Sequence, residues 1–514
     1  MRALDRFSLA ALVLVPALAL LALPPFGQRM VILVGIYALM GVGYQLVFGQ
    51  LGALNLAQGA LFGVGAYSVA VLAPTLGPNW GSAALLAAPL VTALLAMAVA
   101  GPMLRLQSHY FALATLALAS LVNLVAVHAE GLTGGANGLA GFAASLPRGP
   151  VLMIVVWLCL ITAIALQARL LAGPLGDQAR LLREAPLMAA TLGIDGGRWR
   201  LVAFAIGAAL AGLAGAFSAT LSGVVSPEAT GFSIMVLCLT SVVLGGARHP
   251  LGAVLGAAIA VCLPELLRDL QGAWLLAYAG ATLLVVLWAP EGLAALIDRW
   301  RGIAPPLPRA APSIETLPPV NGARQLVLDR VTKKFGGVAA LQGVSFTMNR
   351  GEVVGLVGAN GSGKTTLLNV VNGLERADGG SIALDGYRID RLPPHAVARA
   401  GVGRSFQTLA LAGDRRTADI ARAVARGAAF LLLDEPAAGA TDRERAELAT
   451  LLGRLRSAGR GVLIVDHDID LLSRVCDRLI CLDRGVVIAV GTPADVRADP
   501  RVRASFLGLE QDAA

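Results

Sequence analysis

Polar positions are scarce and widely spaced up to about residue 298, and beyond residue 325 charged and apolar residues alternate as they do in water-soluble domains. In the first part, apolar runs recur that are long enough, at roughly 20 residues as helix, to cross a ~30 Å hydrocarbon core. They fall near 8–26, 30–50, 58–78, 82–104, 109–128, 149–171, 199–221, 231–247, 250–266 and 271–289. The pattern predicts an α-helical polytopic membrane domain of about ten spans. Basic residues in the short loops set its orientation. Under this count Arg2, Arg6, Arg105, the group Arg180, Arg183, Arg198 and Arg200, then Arg248, Arg299 and Arg301 share one side, which puts both termini in the cytoplasm. The first run also has the basic start, apolar middle and small residues near Ala17 and Ala19 of a signal peptide. As an uncleaved helix it preserves an even span count and leaves the charged C-terminal half inside.

Residues 298–325, DRWRGIAPPLPRAAPSIETLPPVNGARQ, are proline-rich and have neither helical nor strand period, so they read as a linker. The expected organisation is a membrane domain over 1–297, the linker, a soluble domain over 326–508 and a tail over 509–514. Composition agrees: of 514 residues 56% are hydrophobic and 14% charged, with a mean hydropathy of +0.72, far above that of water-soluble proteins. The net charge of +8 is mostly arginine and is absorbed largely by the positive-side loops. No basic patch with interleaved aromatics accompanies it, so nucleic acid is not an expected partner. Cys159, Cys238 and Cys262 lie in apolar runs and Cys476 and Cys481 in the soluble part, with no disulfide framework or metal-spaced pair.

The soluble part carries three chemical motifs in order. EVVGLVGANGSGKTTLLNVVNGL holds Gly358-x4-Gly363-Lys364-Thr365 between an apolar strand and a helical pattern, a P-loop. Its glycines let backbone amides wrap phosphates, Lys364 reaches the β and γ phosphates, and Thr365 offers a hydroxyl to Mg²⁺. FLLLDEP reads as a buried strand delivering Asp434, which can hold the cation through water, and Glu435, placed to polarise an attacking water. GVLIVDHD is a third buried strand ending at His467, where a neutral imidazole can contact the γ phosphate. Phe335, in KFGG, is placed to stack on adenine; the alternative is a core aromatic of the first sheet.

From about residue 325 to 508 the sequence resembles the ATPase domain of ABC transporters, with GANGSGKTT, the glutamine in FQ, LLLDEP and the histidine in VDHD in family order. EPAAG resembles the branched-chain amino acid subfamily. The resemblance implies an α/β P-loop ABC ATPase that binds ATP and Mg²⁺. It assigns nucleotide to Phe335, Gly358, Asn360, Gly361, Ser362, Gly363, Lys364, Thr365, Thr366 and Gln407, the cation to Thr365, Gln407 and, through water, Asp434, and catalysis to Glu435 and His467. It also implies function only as a dimer, each nucleotide lying between one P-loop and the Leu-Ser-Gly-Gly-Gln signature of the other copy.

The membrane part shows GQLGALNLAQGALFGVGAYSVAVL, then SHYFALATLALASLVNLVAVHAEGLTGGANGL, PLGDQARLLREAPLMAATLGIDGGRWRLVAFAIGAALAGLAGAF and VVLGGARHPLGAVLGAA. Over nearly all of 1–295 it resembles the permease subunit of branched-chain amino acid ABC transporters. The implied protein is an ATP-driven importer subunit for branched-chain or other hydrophobic amino acids, fused to its ATPase. A second permease subunit, a second ATPase subunit and an extracytoplasmic amino-acid-binding protein would complete it in the lipid of the cell membrane. Import of urea or short amides, and a non-transporting nucleotide-binding remnant, stay open at this point.

Two local features bear on coupling. From Gly176 to Ile194, Leu181, Ala185, Met188 and Leu192 recur on one helical face, which predicts an amphipathic helix in the largest cytoplasmic loop. It would either lie at the lipid interface or, as in the family, dock on the ATPase. Asp434 follows Gln407 by only 27 positions, where the family inserts a helical subdomain ending in the signature. Most of that subdomain is absent, although RTADIARAVARGAAFLLLDEP, with Ile420, Ala421, Arg422 and Ala423, resembles the helix that follows the signature. The signature itself survives at most as LAGD, Leu411 to Asp414, and because in the family the docking loop sits in a groove partly formed by the missing subdomain, coupling of Gly176 to Ile194 to this chain's own ATPase is in doubt. The apolar runs hold almost no ionisable centres apart from Glu265 and Arg268 near a boundary, which argues against a proton-coupled carrier. Gln45, Asn55, Gln58, Tyr110 and Asn123 are expected either to line a path or to bridge helices.

Overall fold

A computed structural model of the chain describes residues 6–103, 108–267, 274–301, 323–405, 420, 424, 426–466 and 468–507. The chain divides into two compact units, Met1–Arg183 with Gly197–Leu307, and Glu184–Gly196 with Pro308–Ala514. Most of the linker, Arg105, Arg268 and Ala421 to Ala423 lie outside the described residues.

Among the described residues, six helices of the first unit are long and apolar enough to cross a membrane. They are Pro25–Gln50, Gln58–Gly77, Gly81–Gly101, His109–His128, Gly149–Ala172 and Gly196–Ser222. The other four expected spans hold shorter helices, Arg6–Ala22, Phe232–Gly245, Gly252–Leu266 and Trp274–Trp288. At 1.5 Å per residue a helix of about 15 residues is ~22 Å long, short of the hydrocarbon core. The count of about ten spans is therefore not confirmed: the apolar runs continue past the helix ends into the turns, where Gly246 turns the chain with φ 115°.

The first helix of the spanning set, α1 (Pro25–Tyr44), continues into a wider turn over Gln45–Gln50. There the side chain of Gln45 donates to the carbonyls of Gly246 and His249, both at 3.0 Å. Asn55 donates to Gln58 at 3.1 Å, Gln58 to the Gly207 carbonyl at 3.1 Å, and Asn123 to Thr230 Oγ1 at 2.7 Å. Gln45, Gln58 and Asn123 thus bridge distant parts of the chain, while Asn55 orients Gln58 locally, satisfying polar groups that the hydrocarbon cannot. Tyr110 is exposed.

The loop read as one amphipathic helix is two, α2 (Pro174–Glu184) and α3 (Pro186–Thr191). Pro186 causes the break, because its ring disfavours the helical region for the preceding residue. Ala185 accordingly takes φ −145° and ψ 71°. The face was correctly chosen, since Leu181, Ala185, Met188 and Leu192 are all buried. The break coincides with the passage from the first unit to the second at Arg183 and Glu184.

Two further helices of the first unit, α4 (Phe232–Gly245) and α5 (Gly252–Leu266), approach through glycine. A Cβ at Gly256 would collide with the Ser241 carbonyl, and one at Gly245 with that of Gly252. Small residues permit this backbone approach.

The second unit is built on two sheets. Its strands are β1 (Gln325–Phe335), β2 (Val338–Asn349), β3 (Val353–Val357), β4 (Gly379–Leu384), β5 (Tyr387–Arg388), β6 (Val402–Ser405), β7 (Phe430–Asp434), β8 (Gly461–Val465), β9 (Arg478–Asp483) and β10 (Val486–Gly491). One sheet has the order β2-β1-β4-β5 and is antiparallel. The other has the order β10-β9-β3-β8-β7-β6, parallel except for β10. β3 and β8 are buried along their whole length, as continuous apolar runs in a parallel sheet should be. Helix α6 (Lys364–Val371) shares one core with both sheets, through Leu367 and Leu368 against residues such as Leu328, Leu356, Ile382 and Leu432. Helix α7 (Pro394–Ala400) precedes β6, and α8 (Asp442–Ser457) starts at a capping box in which Thr441 and Glu444 satisfy each other's backbone amides.

Candidate nucleotide site

The loop between β3 and α6 turns where only glycine is comfortable. Gly363 has φ 102°, and a Cβ there would stand 2.5 Å from the Ala340 carbonyl of β2. Gly358, at φ 153°, would press a Cβ on Ser362 Oγ at 2.6 Å. Lys364 is buried and its Nζ donates to the carbonyls of Gly358 at 2.7 Å and Ala359 at 2.9 Å, so the ammonium sits inside the curve of the loop. Burial pushes its pKa below the usual lysine range, and the nearby Glu435 and Asp434 carboxylates oppose that shift. Ser362 Oγ is buried with no hydrogen-bond partner among the described residues, a polar atom that a phosphate oxygen would satisfy. Asn360, Gly361 and Thr365 are exposed and Thr366 is half-buried.

The acidic residues arrive at the adjoining strand ends. Asp434 lies opposite Val465 in the β7–β8 register. Glu435 then leaves the strand in the left-handed region with φ 46°, its amide donating to the Val465 carbonyl at 2.7 Å. Such a conformation is uncommon for a residue with a side chain and turns the chain sharply at the sheet edge. Lys364 therefore faces both carboxylates across the β3–α6 loop, the charge arrangement of a metal-phosphate site.

Phe335 ends β1 beside the hairpin turn, 46% exposed, with Lys333 Nζ 5.1 Å from its ring centroid. It is not part of the core, so the alternative reading as a core aromatic of the first sheet fails. Gln407 and His467 lie outside the described residues.

Two residues at this site carried no motif. Asp466 is buried, and its carboxylate accepts from the amides of Ala437 and Asp468, both at 3.0 Å, bracing the segment that follows Glu435. Its only sequence signal was to flank His467. Arg404, in β6, is buried and donates from Nη2 to Asp434 Oδ2 at 2.9 Å. Burial pushes its guanidinium pKa down, and Asp434 resists. A single arginine in an apolar strand was the available clue.

Within the same unit, Glu184–Gly196 packs on the ATPase core. Helix α3 lies against α7 and β6. At its C-terminal end, Arg399 Nε donates to the Gly193 carbonyl at 3.0 Å and Arg426 Nη1 to the Leu192 carbonyl at 2.5 Å. Two guanidinium groups thus meet the negative end of the helix dipole. Burial, then the neighbouring Arg399, push the Arg426 pKa below its usual value. His395 Nε2 and Asp195 Oδ2 are 3.5 Å apart. This part of the loop therefore packs within the second unit, as the docking alternative expects.

Three family models match the chain. Residues 28–287 match the branched-chain amino acid transport system permease component, 341–412 the ABC transporter model, and 486–510 the branched-chain amino acid ATP-binding cassette transporter model. The permease protein LivM of Salmonella typhimurium, from a high-affinity branched-chain amino acid transport system, is 31% identical over 287 residues, covering 50% of this chain and 67% of its own. The high-affinity branched-chain amino acid transport ATP-binding protein BraF of Pseudomonas aeruginosa is 29% identical over 248 residues, 36% of this chain and 97% of its own. The lipopolysaccharide export system ATP-binding protein LptB of Escherichia coli is 32% identical over 233 residues, again 36% of this chain and 97% of its own. Since 36% of 514 is about 185, and 233 less 185 is about 48, roughly 48 positions of LptB have no counterpart here.

Proposed function

The chain belongs to the branched-chain amino acid transport permease family, and on that premise we propose that it imports branched-chain or other hydrophobic amino acids at the expense of ATP. It unites a permease with its ATPase in one polypeptide. The observation that carries the reading is the permease match over 28–287, of which Glu184–Gly196 is gathered into the ATPase unit by Arg399, Arg426 and His395.

The membrane half is a multi-pass domain of about ten spans with both termini and the ATPase in the cytoplasm. Helical structure in each of the ten apolar runs and the one-sided arginines support this topology. In the ATPase, the amides of the P-loop from Gly358 through Thr366, with Lys364, hold the phosphates. Phe335 stacks on adenine from its exposed hairpin tip, and Gln407 and His467 contact the phosphate side. Glu435 polarises the water that attacks the γ phosphorus in line.

Hydroxyl and carboxylate oxygens at Thr365 and Asp434 fit a hard cation, which the group Thr365, Gln407 and, through water, Asp434 would hold. Mg²⁺ held by that group would supply positive charge to offset the phosphate charge during transfer. ATP binding closes the ATPase pair and pulls on the docked loop, switching the permease between outward and inward access, and hydrolysis resets it.

A second permease subunit, a second ATPase subunit and an extracytoplasmic amino-acid-binding protein complete the assembly. Because the ATPase lacks most of its helical subdomain and a recognisable signature, this chain forms a competent site only with the signature of a different partner. A heterodimer then has one competent and one degenerate site. The missing positions relative to LptB support this.

Uptake of labelled leucine into vesicles holding the complete assembly tests the reading. It is expected to depend on ATP and on Lys364. Nucleotide binding without substrate-stimulated turnover would leave a non-transporting remnant, and uptake of urea or a short amide in place of leucine would change the substrate class.

A further inference from the structure

Arg404 has no role in the reading so far, and its surroundings are unusual. An arginine only 3% exposed needs partners for its charge, since an uncompensated buried guanidinium is strongly unfavourable. Its two terminal nitrogens point to different elements. Nη2 donates to Asp434 Oδ2 at 2.9 Å and Nη1 to Asn369 Oδ1 at 2.5 Å. Asn369 belongs to α6, the helix that begins with Lys364 and Thr365. One planar group therefore ties the P-loop helix to the carboxylate at the end of β7.

The backbone fixes both ends of this bridge. Arg404 pairs with Leu432 in the parallel β6–β7 register, two residues before Asp434. The Asn369 carbonyl accepts the amides of Leu374 at 2.9 Å and Glu375 at 3.1 Å, which anchors the end of α6. The terminal torsion of a carboxylate is otherwise soft, so a free Asp434 would present either oxygen over a wide arc. With Oδ2 engaged by Arg404 the torsion is restrained, and Oδ1 is the oxygen left for a further partner.

We propose that Arg404 is a positioning residue for the divalent cation of the nucleotide site, orienting the Asp434 carboxylate from behind and fixing its place relative to α6. The inference rests on the ATPase reading above. Partners that orient a metal-bound group in this way typically change metal affinity 10–100-fold when removed. Lysine cannot replace the fork, because a single ammonium does not reproduce two diverging donors in one plane.

Equilibrium binding of a fluorescent ATP analogue to the full-length chain in lipid nanodiscs, with Mg²⁺ and with EDTA, separates orientation from architecture. Arg404→Met is expected to reduce the Mg²⁺-dependent gain in affinity about 10–100-fold and to leave the affinity in EDTA unchanged. Arg404→Lys should fall between, and Asn369→Ala, which keeps the pair with Asp434, should lose less of the gain. In an Asp434→Asn background, Arg404→Met should remove no further gain. An equal fall in both conditions, or an unchanged Mg²⁺ gain in both Arg404→Met and Asn369→Ala, overturns the proposal. A wild-type chain that binds no nucleotide overturns the ATPase reading, and this inference falls with it.

Discussion

The docked segment Glu184–Gly196 buries Met188 and Leu192 and is tied at its end by Arg399 and Arg426, and removing the two arginines is predicted to uncouple transport from hydrolysis while leaving basal hydrolysis intact. Each makes a partly buried hydrogen bond from a charged donor to a main-chain carbonyl at the end of α3. Such bonds contribute about 1.5–3 kcal/mol net. A loss of about 2 kcal/mol per arginine corresponds to roughly 30-fold in the docking equilibrium. The two losses will not multiply. Arg399 disfavours the charged form of Arg426, so removing one relieves a repulsion felt by the other, and the double variant should fall short of the product. The Asp195–His395 pair, at 3.5 Å and partly exposed, adds at most about 1 kcal/mol. The assay is leucine uptake per ATP hydrolysed by the complete assembly in vesicles, for Arg399→Ala, Arg426→Ala and the double variant. Uptake should fall while basal hydrolysis holds. Undiminished uptake per ATP in the double variant, or hydrolysis falling in step with uptake, would refute the reasoning.

Phe335→Ala should weaken ATP binding by about 1–3 kcal/mol, the range for a base stacked on an aromatic ring, with Phe335→Trp close to wild type in the same titration. Lys364→Ala should lower nucleotide affinity about 10–100-fold through loss of charged hydrogen bonds to phosphate, read with a labelled nucleotide. In the membrane unit, Gly256→Val drives a side chain into the Ser241 carbonyl, and an overpacking penalty of about 1–3 kcal/mol should appear as a lower thermal midpoint in detergent. Gly280→Ala, where a Cβ meets nothing within 4 Å, is the matched control and should not shift the midpoint.

What could be read from the sequence was what is local. The P-loop needs contiguous residues, and a strand buried on both faces announces itself as an unbroken apolar run, as in Phe430–Asp434 and Gly461–Val465. The face of the docking loop was also legible, because Leu181, Ala185, Met188 and Leu192 keep helical spacing across the break at Pro186. The break itself is a backbone constraint that side-chain periodicity does not register. Helix ends were less legible for a similar reason, since apolar residues continue through the glycine turn at Gly246 and lengthen the run without lengthening the helix. The role of Arg404 was not legible because its partners, Asn369 and Asp434, are 35 and 30 residues away and meet it only in the folded unit.

The short segment between Ser405 and Phe430 can be understood from the same sheet. β6 and β7 are neighbouring parallel strands, with Val402 opposite Phe430, so the chain leaving Ser405 must return to the far end before re-entering. A parallel connection requires a dozen or more residues, usually with a helix. The intervening chain has 430 − 405 − 1 = 24 residues, which suffices, and Ile420 and Val424, helical and four apart, are both buried. The sheet order is therefore complete with a connection of this length. Strands β3, β7 and β8 stand in continuous parallel register, and on the proposed reading what is lost is the part a partner nucleotide would meet. If the loss sits there, grafting the corresponding full-length segment of a signature-bearing ATPase between Ser405 and Phe430 should raise turnover of the heterodimer toward twofold by restoring the second site. Unchanged hydrolysis after the graft would show that the native segment already serves that site.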